Sequence, residues 1–81
     1  MSTSTSIYDV AKIELANINS YKNKKGVVWS RCHNLICTDK NGIASEVKIF
    51  GEDGKELITS LNGKRANNRV YDHKGNLEKE G

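Results

Sequence analysis

The sequence predicts a mainly β chain, arranged as one small five-stranded Greek-key barrel. Three observations carry that reading. Val27 to Thr38 holds Val27, Val28, Trp29, Ile36, Cys37 and Thr38, residues that suit a pleated, half-buried surface. Asp39-Lys40-Asn41-Gly42 follows, and its Asn-Gly pair marks a tight hairpin before Ile43 to Phe50. Proline is absent, so no segment is barred from a sheet by a missing backbone donor.

Met1 to Ser6 are small and polar and read as a frayed tail, with a single domain over residues 7–81. Residues 7–18 admit two readings. Ile7, Val10, Ala11, Leu15 and Ile18 fit a helical stripe, and Ser6 with Asp9 resembles a capping box. A strand over Val10 to Ile18 turns Ala11, Ile13 and Leu15 inward and Lys12 and Glu14 outward. The strand is favoured, because Asn17-Ile18-Asn19-Ser20-Tyr21 is poor helix material and a lysine-glycine connection follows. A helix here gives the alternative architecture, an α+β fold with an N-terminal helix on an antiparallel sheet.

Alternation along Val27 to Thr38 is imperfect, and a bulge near Cys32 to Asn34 would let Val28 and Ile36 both reach the core. Ile43 to Phe50 alternates well, with Ile43, Val47 and Ile49 on one face and Glu46, Lys48 and Phe50 on the other. Gly51-Glu52-Asp53-Gly54 breaks the pattern. Lys55 to Leu61 reads as a short helical link with Leu57, Ile58 and Leu61 inward, capped by Asn62-Gly63. Lys64 to Tyr71 is a further strand. Asp72-His73-Lys74-Gly75 is a turn, and Asn76 to Glu80 a short edge strand. There is no internal repeat and no linker.

A chain of 81 residues buries a modest core, so extra burial by dimerisation would stabilise it. The net charge is +3 and the pI near 9.0, with the cations unevenly placed. Lys22, Lys24 and Lys25 form one cluster and Lys64, Arg65 and Arg69 another, separated by acidic Glu52, Asp53 and Glu56. Two basic patches suit phosphate binding at a defined place; solubility alone is the plainer account of such lysines. No run approaches the ~20 apolar residues of a membrane helix, and no signal peptide opens the chain. The expected location is the cytoplasm. Cys32 and Cys37 have opposite parity, which points them to opposite faces of a regular strand and favours reduced thiols. With His33 and His73 they do not form the closely spaced pairs of a structural zinc site, and no metal or other cofactor is expected.

Trp29, Arg31 and His33 alternate along one predicted strand, directly after Tyr21-Lys22-Asn23-Lys24-Lys25-Gly26. On a strand, all three share a face. An aromatic plane, a guanidinium and an imidazole beside ammonium groups can stack with bases and track phosphates of single-stranded nucleic acid. Tyr21 and Phe50 are secondary stacking candidates, Phe50 being placed rather in the core or under the barrel rim. Lys48 on the next strand, and Arg65 and Arg69 approaching the Asp72–Gly75 turn, complete the cationic set. Two readings of Trp29 stay open, a base-stacking ring and a core anchor.

The order strand, basic loop, long strand, hairpin, strand, link, strand, turn, strand is that of an oligonucleotide-binding barrel. The run VVWSRCHNLICTDKNGIASEVKIFG resembles the second and third strands of such domains, in which a lysine-rich loop precedes a strand ending in Asp-x-x-Gly. In size and in this segment the chain is similar to the small helix-destabilising proteins of filamentous phages. The resemblance covers about Val10 to Phe50; the short, polar C-terminal third departs from it. It implies sequence-tolerant binding of single strands, DNA ahead of RNA, often by a homodimer in the host cytoplasm.

An enzyme is not expected, since there is no phosphate-binding glycine loop, nucleophile motif or informative carboxylate pair. The rival function is a protein-binding module, such as a phage or mobile-element inhibitor of a host protein, docking through strand edges. It predicts a buried Trp29 and scattered lysines.

Overall fold

A computed structural model describes residues 3–81; Met1 and Ser2, part of the expected tail, lie outside them. Thr3 to Tyr8 are exposed and carry no regular secondary structure. The fold is mainly β. Its strands are β1 (Val10–Lys22), β2 (Val28–Asp39), β3 (Ala44–Phe50), β4 (Ser60–Leu61), β5 (Lys64–Arg65), β6 (Asn67–Tyr71) and β7 (Leu77–Glu80).

The barrel expectation is corrected. Five strands form one open mixed sheet in the order β3-β2-β1-β6-β7, and β4 pairs only with β5. β1 is central, antiparallel to β2 and parallel to β6. After β3 the chain crosses one face of the sheet before entering β6, so β3 and β7 remain as edges. The helical link is also replaced. The only helical turn among the described residues is a 3-10 turn at Glu52–Gly54, and Lys55 is already extended. Extended chain lets Ile58 and Leu61 reach down to the sheet. Asn62-Gly63, expected as a helix cap, instead turns the β4–β5 hairpin with φ of 53° and 79°, the left-handed pair that Asn-Gly favours.

Residues 10–18 are strand, as favoured. Their helical look has a physical cause. Leu15 pairs with Leu35 and Asn17 with Asn34, leaving Ala16 as an extra residue. That bulge resets the parity, so Leu15 and Ile18 reach the same core three residues apart. β2 itself carries no bulge at Cys32 to Asn34, since the extra residue opposite Asn34 and Leu35 is Ala16 of β1 and β2 pairs with β3 without a shift from Cys32 to Thr38. The second strand bulges instead at Trp29, between the pairs Tyr21–Ser30 and Lys22–Val28. Ile36 therefore lies opposite Glu14 and Glu46, on the face away from the core.

The core sits under the crossover. Leu15, Ile18, Leu35 and Ala66 are buried, with Val47, Ile49, Ile58 and Leu61 packed around them. The molecule measures 44 × 34 × 21 Å, the depth of one sheet with a single covering layer.

Three turns share one construction. Asn23, Asp39 and Asp72 each accept backbone N–H bonds on the side-chain oxygen from the residues two and four positions later. Gly26, Gly42 and Gly75 close these turns at positive φ. Gly54 is constrained differently. At φ +75° it is buried against β2, and a Cβ there would lie 2.8 Å from the Val28 carbonyl oxygen.

Candidate nucleic-acid interface

β1 and β6 run in the same direction and both end at one edge of the molecule. The Asn23–Gly26 and Asp72–Gly75 turns therefore emerge side by side. Just before them Tyr21 and Tyr71 are register partners, and their rings stack with centroids 5.4 Å apart. Lys22 is tied to Glu78 of β7 by an ion pair. Lys24 and Lys25 are exposed at the tip of the Asn23 turn and have no carboxylate partner among the described residues. His73 and Lys74 are exposed on the neighbouring turn.

Trp29 sits at the bulge that opens β2, beside the lysine turn, and is 60% exposed. Arg31 is half-buried, and its Nε donates to Ser20 Oγ at 3.0 Å. This contact orients the guanidinium on the same side of the sheet as Ser20. Lys24, Lys25, Trp29 and Arg31 are thus gathered at one end, with Tyr21 at the same end but on the face opposite Arg31.

Of the remaining predicted residues, Lys22 is at this end but held in its ion pair, and the others are buried, on the face opposite Arg31 or farther off. His33 is fully buried, which corrects its place on an exposed face with Trp29 and Arg31. Alternation does put it on the face of Arg31, but that face passes under the crossover. Its Nδ1 lies 3.0 Å from the Ile49 carbonyl oxygen, and its Nε2 accepts from the Leu57 backbone N–H at 3.1 Å. Those partners assign the ring proton to Nδ1. The imidazole clamps the crossover to the sheet and has no room for a phosphate.

Phe50 is 59% exposed, not core or rim-covered, and lies on the opposite face, across from Cys32. Lys48 shares that face and sits 3.7 Å from Glu46. Arg69, also there, donates from Nε to Glu80 at 2.8 Å. The Arg69 guanidinium and the Glu80 carboxyl hold each other charged. The carboxyl is kept below the usual carboxylate range by hydrogen bonds from Arg69 and then from Asn67. Arg65 lies farther off, on the β4–β5 hairpin that Asn62 ties to the Ile13 carbonyl. There a groove of about 500 Å³ runs between β1 and the hairpin, lined in part by Lys12, Lys64 and Arg65.

Cys32 and Cys37 are buried free thiols on opposite faces, and burial pushes the Cys32 thiol up.

Lys74 lies in the Asp72–Gly75 turn that the sequence already places beside the binding face, whereas Tyr71 was not among the predicted contacts. The signal for Tyr71 is the parallel β1–β6 pairing, a long-range feature that local pattern does not report. Among the described residues, no helix is long and apolar enough to cross a membrane. Comparison with family models, curated proteins and solved structures gives no match.

Proposed function

We propose that this chain binds single-stranded nucleic acid, DNA ahead of RNA and without strong sequence preference, at the end of the sheet where the two turns emerge. The observation that carries the reading is Trp29, exposed at a bulge beside an ordered turn that presents two unpaired lysines. A base stacks on the indole, and Lys24, Lys25 and Arg31 take the flanking phosphates. Lys74 extends the cationic edge. The β1–β2–β3 meander then does the work of the binding strands in an oligonucleotide-binding domain, on an open sheet.

A protein-docking role is less well supported, because Trp29 is exposed and two lysines without a carboxylate partner, Lys24 and Lys25, stand in the turn beside it. One stacked base is worth about 1–3 kcal/mol, and each phosphate contact adds to the salt dependence.

Titration with a short single-stranded oligonucleotide in low salt is expected to quench Trp29 fluorescence. Affinity is expected to fall steeply as salt rises. Trp29→Ala combined with Lys24→Ala and Lys25→Ala is expected to abolish binding with an unchanged circular dichroism spectrum. Absence of wild-type binding in low salt overturns the reading.

A further inference from the structure

β3 is an outer strand, hydrogen-bonded only to β2 among the described residues. Its outward groups follow from two bonds. Asp39 N–H donates to the Ile43 carbonyl, and Gly51 N–H donates to the Arg31 carbonyl. Backbone direction alternates along a strand, so odd-numbered residues of β3 bond to β2. The N–H and C=O groups of Ala44, Glu46, Lys48 and Phe50 point away from the sheet.

Such an edge is a template for another strand. The other edge, β7, is short, and its sequence Leu77-Glu78-Lys79-Glu80 crowds it with charge. β3 is longer, follows directly on the exposed Ile43 (65%) and ends at the exposed Phe50 (59%).

We propose that two copies of this chain pair antiparallel through β3, about a two-fold axis at Val47, to form one continuous ten-stranded sheet. Three antiparallel registers make the outward groups meet over most of the strand. Centring on Glu46 sets Glu46 against its own copy, and centring on Lys48 does the same with lysine. Both place like charges directly opposite, which is destabilising. Centring on Val47 sets Glu46 against the partner's Lys48 and Lys48 against the partner's Glu46.

The same register pairs the large Phe50 ring with the small Ala44 of the other copy and brings the two Val47 side chains together. It also uses the whole strand, Ala44 to Phe50. The two-fold closes the assembly, so it stops at two copies. Because the axis reverses strand direction, the two lysine turns lie at opposite ends of the dimer. This inference does not depend on nucleic-acid binding.

Sedimentation velocity over a range of protein concentrations tests it. Wild type is expected to show a concentration-dependent monomer–dimer equilibrium. Lys48→Glu and Glu46→Lys each replace two attractive cross-strand pairs with repulsive ones, and each is expected to weaken dimerisation about ten- to a hundredfold. Both side chains are more than half exposed, so the monomer fold should survive, as circular dichroism would show. The double variant E46K/K48E restores opposite charges in the same register and is expected to recover the dimer. A monomeric wild type up to millimolar concentration overturns the proposal. So does a dimer indifferent to the single substitutions, or one that the double variant fails to restore.

Discussion

The two faces of the sheet are built on different physics. The covered face carries Leu15, Ile18, His33 and Leu35 beneath the crossover, and water is excluded by a second layer of chain. The open face has no such layer. It carries Asn17, Asn19, Asn34 and Asn67, with the Tyr21–Tyr71 stack and ion pairs Lys12–Glu14, Lys48–Glu46 and Arg69–Glu80. Cys32 and Asn34 are nonetheless buried there, because neighbouring strands shield the middle of the sheet from both sides. Burial on the covered face reports packing against another layer. Burial on the open face reports crowding within one, and polar side chains tolerate it by bonding to each other, as Asn17 does to Asn19. Stability should therefore be concentrated on one side of a single sheet.

The largest contrast is expected between adjacent residues of β1. Ile18→Ala should cost about 2–5 kcal/mol through the cavity it leaves, whereas Asn19→Ala should cost less than about 1 kcal/mol. Urea unfolding of both variants checks this, and equal costs would break the comparison. Next comes β2, where His33→Leu removes an acceptor from the Leu57 N–H. The unsatisfied buried donor should cost about 1–3 kcal/mol. Faster hydrogen exchange at Leu57 is the matching local readout.

The smallest effect concerns acid. Glu80 has its carboxyl lowered by Arg69 and Asn67, so its stabilising contribution is complete above the unfolded value and fades as pH falls through the folded one. Asp72, lowered by backbone bonds from Asn76 and Lys74, behaves the same way. Below about pH 4 the β6–β7 end should loosen before the core does. Amide chemical shifts of Lys74 and Asn76 should move there while those of Ile18 and Leu35 hold. Lys25 and Val27 bond to the amide oxygen of Asn23, which does not titrate, and serve as the internal control.

Local signals were read well where they act over a few residues. The Asp39–Gly42 hairpin, the Asp72–Gly75 turn, β7 and the parity of Glu46, Lys48 and Phe50 against Val47 and Ile49 all follow from turn chemistry and alternation. Local signals misled where an extra residue broke the alternation. Leu15 and Ile18 have helical spacing because Ala16 bulges, and the shift expected near Cys32 falls at Trp29 instead. His33 shows the same limit for function. Its parity with Arg31 was legible, but the segment lying over it was not.

By itself, then, the sequence determined that the chain is mainly β, where it turns, and which side chains alternate, since these depend on backbone preferences and neighbours in the chain. Only the tertiary structure decided that the sheet stays open, that β6 lies parallel to β1, and which face is sealed. Those outcomes depend on where the crossover from Gly51 to Ala66 lies down. Its apolar residues, Ile58, Leu61 and Ala66, have no partner until Leu15, Ile18 and Leu35 are assembled from strands distant in sequence.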